Sequence, residues 1–219
     1  MSVYDNIIRL RASLPDGVKL VAVSKFQSEA AIMEAYNAGQ RIFGENRVQE
    51  LSGKKPKLPD DIEWHFVGTL QTNKVKYIAP FVSMIQSVDT LRLMEEINRH
   101  AGICNRIIRV LVEVHIAAEE SKHGFSPDEC RTLFQEGQPS KFKNIHICGL
   151  MGMATFTSDS EAVRREFRTL RRLFDDIRSM PTTDQSLFAS LSMGMSDDYQ
   201  LAIEEGSTMV RIGTAIFNS

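Results

Sequence analysis

Short runs of apolar and β-branched residues alternate along this chain with longer segments of helical period. Within the first run, residues 18–24, Val21 and Val23 lie two positions apart, as expected for one face of a strand. The runs that predict strands are 18–24, 41–44, 63–68, 83–87, 107–115, 145–150, 187–191 and 208–213. Strands separated by segments of this length favour parallel pairing, because parallel strands need long crossover connections.

The intervening segments carry helix signals. Residues 1–17 predict an amphipathic N-terminal helix, and Ser28 precedes a periodic segment that Gly39 should end in the left-handed conformation. Asp89 is expected to open another helix, ended by Gly102. "SPDE" at 126–129 predicts a capping box with Pro127 at the first helical position and Gly137 closing the helix. The longest predicted helix, 159–179, has its apolar positions at Val163, Phe167, Leu170, Phe174 and Ile177.

Eight such strand and helix units in 219 residues predict an α/β protein with a single closed (β/α)₈ TIM-type barrel and an extra N-terminal helix. We expect residues 1–219 to form one domain. An open doubly wound sheet is the alternative, but no GxGxxG turn follows the first predicted strand, as its dinucleotide-binding form requires. A closed barrel has no sheet edge to pair with another chain, so we expect a monomer.

Charge and cysteine content limit the classes of partner. The net charge is −2, which argues against nucleic-acid binding and against association with an anionic membrane surface. The three cysteines show no CxxC spacing, so neither a disulfide framework nor a zinc site is indicated, and a cytoplasmic location is expected. The one basic cluster is interleaved with acids, as on a solvated helix face: Arg164, Arg165, Arg168, Arg171 and Arg172 alternate with Glu161, Glu166, Asp175 and Asp176.

A lysine follows the first predicted strand. In "VKLVAVSKFQ", the period of two gives Lys25 the same face as Val21 and Val23. If those valines line the barrel, Lys25 points into the mouth at the carboxyl ends of the strands, where such barrels collect function. We expect it to be partly desolvated there, with an amine able to attack a carbonyl and form a Schiff base. The alternative is a solvated lysine at a strand end.

The ends of the last two strands predict an anion site. "LSMGMSDD" and "RIGTAIF" are rich in small and hydroxyl residues where barrels frequently bind phosphate. The residues expected to supply amide and hydroxyl donors are Ser192, Met193, Gly194, Gly213 and Thr214. For Ser196 we favour an ordinary helix N-cap.

Arg211 should point into the mouth, because it shares a strand face with Gly213 and lies opposite to Val210 and Ile212. A buried arginine without a neighbouring carboxylate needs a specific acceptor. A reactive lysine, an anion site and an inward arginine together suit a phosphorylated aldehyde whose ring carries an acceptor, and pyridoxal 5′-phosphate (PLP) is such a molecule.

Ordered motifs along nearly the whole chain closely resemble the pyridoxal-phosphate homeostasis protein family, relatives of the N-terminal barrel of alanine racemase. They are "AVSKFQ", "FGENRVQE", "WHFVGTLQTNK", "SVDT", "ESKHGF", "GLMGMAT", "LSMGMSDD" and "STMVRIGTAIF". The resemblance implies that Lys25 carries PLP as a Schiff base and that Arg211 faces the pyridine nitrogen. It also implies that the loops at 192–194 and 213–214 hold the phosphate and that Asn46 lies near the ring.

The same resemblance implies a role in vitamin B6 homeostasis, in which the protein buffers PLP or delivers it to PLP-dependent apoenzymes without ordinary enzymatic turnover. An arginine facing the ring nitrogen can only donate, so the ring is a weak electron sink. The four tyrosines, Tyr4, Tyr36, Tyr77 and Tyr199, fall in predicted helices, and none is a positioned second base. The alternative is a PLP-dependent racemase or a Schiff-base aldolase of low activity.

Three more polar residues near the predicted strand ends have open roles. His65 and His115 could act as acid or base, although lone histidines near a core are more often hydrogen-bonded packing residues. For Lys122, in "ESKHGF", we favour a solvated side chain over a transient hold on the aldehyde.

Overall fold

A computed structural model of the protein describes residues 1–118 and 123–217. Its centre is a closed barrel of parallel strands that follow one another in chain order, with β1 pairing β8. The strands are β1 (Lys19–Val23), β2 (Ile42–Glu45), β3 (Glu63–Phe66), β4 (Met84–Val88), β5 (Ile108–Glu113), β6 (Ile145–Met151), β7 (Ser190–Ser192) and β8 (Met209–Ile212). The predicted TIM-type barrel is confirmed.

Helices cover the outside of this barrel. They are α1 (Val3–Ser13), α2 (Glu29–Asn37), α3 (Val48–Lys54), α4 (Val75–Ile78), α5 (Leu91–Ile103), α6 (Pro127–Gln135), α7 (Ser160–Arg178), α8 (Tyr199–Glu204) and α9 (Thr214–Phe217). Short 3₁₀ turns occupy 55–57, 72–74 and 138–141. Helix α1 precedes the first strand, so the extra N-terminal helix is confirmed as well.

Two apolar layers result from the alternation of side chains along each strand. The larger layer lies between strands and helices and includes Phe43 and Trp64, whose rings are 6.0 Å apart. The smaller one fills the barrel interior and consists of Val21, Met84, Leu111, Cys148, Met151 and Met209. Val21 therefore lines the barrel as predicted, and the strand positions that follow on the same face lead to the mouth.

Most predicted helix ends are confirmed. Ser28 caps α2, Gly39 has a φ of +89°, and Ser126 and Glu129 form the capping box of α6. The helix expected from Asp89 to Gly102 differs at both ends. Thr90 is its N-cap, because the Thr90 hydroxyl accepts from the Leu93 amide.

Helix α5 also continues through Gly102 to Ile103. A Cβ on Gly102 would lie 2.8 Å from Asn144 Nδ2, so close packing explains this glycine. The left-handed residue after the helix is Asn105, with a φ of +50°, and asparagine tolerates that conformation.

The seventh strand is shorter and later than predicted. The sequence suggests 187–191, whereas β7 is Ser190–Ser192. The amides of Leu187 and Phe188 donate to Asp184 O in a turn, and the Phe188 ring packs against Phe134 and Phe174 outside the barrel. These apolar residues belong to the outer layer, and apolar content alone could not separate them from a strand.

Three arginines of α7 form ion pairs, as a solvated face predicts: Arg164 with Glu204 and Glu205, Arg168 with Glu205, and Arg171 with Asp175. None of the helices within residues 1–118 and 123–217 combines the length and apolar character needed to cross a membrane.

Candidate functional site

Pairing between β1 and β8 brings the predicted lysine and arginine to the same end of the barrel. In the register of the two strands, Val21 is opposite Arg211. One step closer to the mouth, a Cβ on Gly213 would lie 3.0 Å from Val23 O. The chain segments that carry Lys25 and Arg211 therefore leave the barrel side by side at the carboxyl end, where functional groups of this fold collect.

Lys25 lies two residues beyond β1 and is exposed. Within residues 1–118 and 123–217 its ammonium forms no hydrogen bond and no ion pair. The expectation of partial desolvation is wrong in this structure, because β1 ends at Val23 and the chain then enters a turn in which Phe26 has a φ of +63°. The amine is accessible to a ligand entering the mouth.

Arg211 points inward and is 5% exposed. Its Nη1 donates to Ser192 O at 2.9 Å and to Ser192 Oγ at 2.7 Å, and its Nη2 donates to Gly152 O at 3.0 Å. Burial lowers the pKa of Arg211 to about 10, although Glu113 and Asp198 favour its charged form. The guanidinium remains charged at neutral pH. Arginine has five N–H donors, and within the described residues Arg211 uses three of them, all on neutral oxygens. The remaining donors are left for a ligand.

A hydrogen-bonded chain inside the barrel supports Arg211. Ser192 Oγ donates to Gln86 Oε1 at 2.7 Å, and Gln86 Nε2 lies 2.9 Å from His65 Nδ1. Burial lowers the pKa of His65 to about 3, with smaller effects from Arg109 and Lys19. The imidazole is therefore neutral and accepts from Gln86. Its role is the hydrogen-bonded packing role that the sequence favoured.

The loops after β7 and β8 contact one another. Gly194 has a φ of +96°, and its carbonyl accepts from the Arg211 amide. Ser196 is not a helix N-cap. Helix α8 begins at Tyr199 after Asp198, and Ser196 Oγ instead accepts from the Gly213 amide at 3.4 Å. This hydroxyl thus joins the two loops expected to bind an anion.

The anion donors predicted from the sequence differ in availability. The Met193 amide already donates to Met209 O at 3.2 Å within the barrel, and Ser192 is fully buried with its hydroxyl bonded to Gln86. Thr214 is exposed and opens α9. The Gly213 amide donates to Ser196 Oγ. The first amides of a helix have no intrahelical acceptor, so Thr214 presents the more accessible donors.

Asn46 follows β2 at the mouth, beside Gly68, whose Cβ would lie 2.8 Å from Asn46 Cα. The Asn46 Oδ1 is buried and lacks a hydrogen-bond partner in the described parts of the chain. A buried polar atom without a partner is costly unless a ligand supplies one. Together with a free lysine, a buried guanidinium and accessible amides, this donor and acceptor set fits a phosphorylated aromatic aldehyde.

Sequence reasoning missed several polar residues at the mouth. Glu113 ends β5 on the inward face and is 8% exposed; burial, reinforced by Asp89, raises its pKa to about 6. Its alternation with the interior residue Leu111 could have indicated this position. The turn that carries Lys25 is surrounded by Glu45, Glu50 and Lys54. The sequence signal for this cluster was the pair of opposite charges at 50 and 54, four residues apart on one helix that follows the strand ending in Glu45.

Two residues with open roles remain. The His115 amide donates to Phe125 O at 2.9 Å, which ties the chain beyond β5 to the start of α6. Lys122 lies outside the described residues.

Known proteins are similar to this chain over most of its length. The family model for the N-terminal domain of alanine racemase matches residues 2–219. The pyridoxal phosphate homeostasis protein of Aquifex aeolicus is 42% identical over 200 residues, which cover 91% of this chain and 86% of that protein. The protein of the same name from Haemophilus influenzae is 38% identical over 208 residues, covering 92% and 85%.

Solved structures agree in fold. The PipY protein of Synechococcus elongatus, solved with PLP bound, has a TM-score of 0.87 and 35% identity, and the match covers 99% of this chain and 100% of that one. Alanine racemase from Clostridium difficile is similar in fold alone, with a TM-score of 0.78 and 14% identity over 56% of its own length.

Proposed function

This chain belongs to the family of pyridoxal phosphate homeostasis proteins, and from that premise we propose that it binds PLP reversibly as a Schiff base of Lys25. We propose that it serves intracellular vitamin B6 homeostasis by buffering PLP or delivering it to PLP-dependent apoenzymes, and that it has no ordinary PLP-enzyme turnover. We also propose that residues 1–219 act as one PLP-binding domain, as a monomer in the cytoplasm.

Each site residue has a proposed part. Lys25 adds to the aldehyde, Arg211 donates to the pyridine nitrogen, and Asn46 contacts the ring region through its buried Oδ1. The phosphate is held at the two joined loops by Ser192, Met193, Gly194, Gly213 and Thr214. Because the amides of Met193 and Gly213 already donate to Met209 O and Ser196 Oγ, the direct contacts are assigned first to Thr214, and 192–194 and Gly213 shape the walls.

The observation that carries this proposal is the buried guanidinium of Arg211. It is held in the mouth by neutral oxygens of Ser192 and Gly152, and β8 is paired with the strand that leads to Lys25. A buried cation with donors left over is costly unless a ligand uses them. An anionic ligand with a ring nitrogen would interact with the charge of Arg211 and accept a hydrogen bond from one of its remaining donors.

Arg211 also limits the chemistry. When bound, PLP supplies an aldehyde and an aromatic ring that can act as an electron sink. Arg211 has no acceptor and stays protonated, so it leaves the ring nitrogen without a proton and weakens that sink. Tyr4, Tyr36, Tyr77 and Tyr199 all lie in helices, as predicted. These features support a carrier over a two-base racemase.

A spectroscopic comparison of the wild type with Lys25→Ala tests the proposal. Each protein is mixed with PLP, desalted, and scanned for the visible absorption of a protonated Schiff base. We expect a retained band in the wild type only, and its loss when an apoenzyme that requires PLP is added, with recovery of that enzyme's activity. Retention of the band by Lys25→Ala would contradict the assignment of the lysine.

Turnover assays separate the carrier from the enzyme alternatives. Wild-type protein loaded with PLP is incubated with L-alanine and, separately, with an aldol substrate. The amount of product is measured until it would exceed the amount of protein many times over. We expect no sustained turnover. Steady racemisation or aldol cleavage that disappears in Lys25→Ala would identify the protein as an enzyme.

A further inference from the structure

The turn that carries Lys25 is held by a buried ionic cluster outside the ligand site. We call Glu45, Glu50 and Lys54 the turn clamp. Glu45 is fully buried on the helix-facing side of β2, and Lys54, at the end of α3, is only 8% exposed. Charged residues are almost never buried to this extent unless they are paired, so the partners of these groups indicate their role.

Those partners belong to the turn. Lys54 Nζ donates to Ser24 O at 2.9 Å and to Glu45 Oε1 at 2.8 Å, and Glu45 Oε1 also accepts from Ser24 Oγ at 2.6 Å. Ser24 immediately precedes Lys25. The clamp thus fixes both the backbone and the side chain of Ser24, and Lys25 follows where the chain leaves the barrel beside β8.

The residue after Lys25 is held as firmly. The Phe26 amide donates to Glu50 Oε2 at 2.9 Å, and Lys54 Nζ lies 3.4 Å from the same oxygen. Phe26 has a φ of +63°, a conformation that is unfavourable for a bulky side chain and persists only when its surroundings impose it. The Gln27 amide closes this turn by donating to Ser24 O at 3.0 Å, and a closed turn of this kind places its third residue at positive φ. The contact between Glu50 and the Phe26 amide holds the turn from outside the barrel.

Stability alone does not account for this arrangement. A buried ion pair is often matched or exceeded in stability by apolar residues of similar volume, and Glu45 Oε2 is buried without a partner among the described residues. Burial raises the pKa of Glu45 despite its bond to Lys54, so ionising this carboxyl inside the fold is unfavourable. The contacts of the clamp instead fix the conformation of the turn at Lys25.

We propose that the turn clamp, and Lys54 in particular, positions Lys25 for Schiff-base formation. This inference rests on the proposed function. In the step concerned, the neutral amine of Lys25 adds to an aldehyde carbon, a C=N bond forms, and the carbonyl oxygen leaves as water with the two protons of the amine. Lys54, Glu45 and Glu50 are positioning residues, since their contacts are with Ser24, with Phe26 and with one another.

The test compares two ligands that differ only where Lys25 acts. PLP carries the aldehyde, whereas pyridoxine 5′-phosphate carries an alcohol in its place and can use only the ring and phosphate contacts. Lys54→Met is compared with Lys57→Met, which removes a neighbouring exposed lysine whose ion pair with Glu29 lies at the surface. Affinity for each ligand and the rate of borohydride-trapped adduct at Lys25 are measured.

We expect Lys54→Met to lose about tenfold or more in the trapping rate and in PLP affinity, because small misplacements of a reacting group have effects of this size. Its affinity for pyridoxine 5′-phosphate should stay within about twofold of the wild type, and Lys57→Met should match the wild type throughout. Equal losses for both ligands, or no loss for either, would overturn the proposal.

A second pair of variants decides the question if Lys54→Met does not fold. Glu50→Gln keeps an oxygen that can accept from the Phe26 amide, whereas Glu50→Ala removes it. Trapping should be slow in Glu50→Ala and largely restored in Glu50→Gln, and equal rates in both would overturn the positioning role. If the wild type binds pyridoxine 5′-phosphate but yields no trapped adduct with PLP, the proposed function fails instead.

Discussion

Two arginines point into opposite ends of the same barrel, and their partners differ. Arg109, on β5 near the amino ends of the strands, pairs with Glu63 at 2.8 Å and donates to Ser83 O. Arg211, on β8 at the carboxyl ends, is more deeply buried and bonds only to neutral oxygens. No carboxylate lies within ion-pair distance of Arg211 in residues 1–118 and 123–217.

This difference separates a structural charge from a functional one. The positive charge of Arg109 is neutralised within the fold and is partly solvated, so it needs nothing further. The charge of Arg211 has no ion-pair partner among the described residues and interacts with Glu113 and Asp198 only at longer range, so an anion entering the mouth gains an interaction that the apoprotein lacks. Residue type and inward orientation are the same in both cases, and the partner decides the role.

Replacing each arginine by methionine should affect ligand binding very differently at the two ends of the barrel. Arg211→Met should weaken PLP binding by about a hundredfold, or about 2.7 kcal/mol, because it removes a charged donor to the ligand. Arg109→Met should leave affinity within about twofold. Titration of PLP followed by absorbance measures both. Equal affinities in the two variants would contradict the functional role of Arg211.

Glycines at the two ends sharpen the contrast. Gly194, at the mouth, has a φ of +96°, and its Cβ would lie 2.6 Å from Ala202 Cβ; Gly17, at the opposite end, has a φ of +88° with nothing within 4 Å. Gly194→Ala should reduce the free energy of unfolding by about 2 kcal/mol from strain and overpacking, and Gly17→Ala by about 1 kcal/mol from strain alone.

Urea unfolding of both glycine variants measures these values. Phosphate affinity provides the functional check, and we expect it to fall in Gly194→Ala only. An equal loss of stability in the two variants would show that the loop after β7 adapts freely to a side chain.

The chain that supports Arg211 gives the protein an acid sensitivity. The pKa of His65 is lowered from 6.5 to about 3, mainly by burial, so below pH 6.5 the unfolded state binds a proton that the folded state refuses. Stability is therefore lost as the pH falls from 6.5 towards 3. Between about pH 8 and pH 5.5 the loss from His65 should be about 1.4 kcal/mol.

In urea unfolding at both pH values, the His65→Gln variant should lose about 1.4 kcal/mol less of its free energy of unfolding than the wild type loses on acidification. His123→Gln, which replaces an exposed histidine, should retain it. A wild-type pH dependence in His65→Gln would mean that another group is responsible.

The smallest expected effect concerns the stability contribution of Arg109. Its ion pair with Glu63 is partly exposed on both sides, at 39% and 46% of the side chains. Solvent screens such pairs, so Arg109→Met should change the free energy of unfolding by less than about 1 kcal/mol. A loss of several kcal/mol in urea unfolding would show that this end of the barrel depends on the pair.

The sequence predicted the barrel because alternation within strands is a local property. The inward position of Val21 and the inward position of Arg211 both followed from counting along a single strand. Errors arose where a residue's role depends on a distant contact. Gly102 is small because it packs against Asn144, and Ser196 bonds the Gly213 amide instead of capping a helix.

The site was predicted less completely than the fold for the same reason. Lys25 and Arg211 stand out as charges at the ends of apolar strands. The burial of Glu45 and Lys54 results from α3 covering β2, and the chain from Arg211 to His65 joins four strands. Such tertiary contacts cannot be counted along one element.

The proposed function depends on a Schiff base between Lys25 and PLP at the barrel mouth. The most direct test is to mix the wild type with PLP, reduce with borohydride, digest, and locate the added mass on a lysine by mass spectrometry. We expect a single major adduct on the peptide containing Lys25. A major adduct on another lysine, or the same adduct yield in Lys25→Ala, would contradict it.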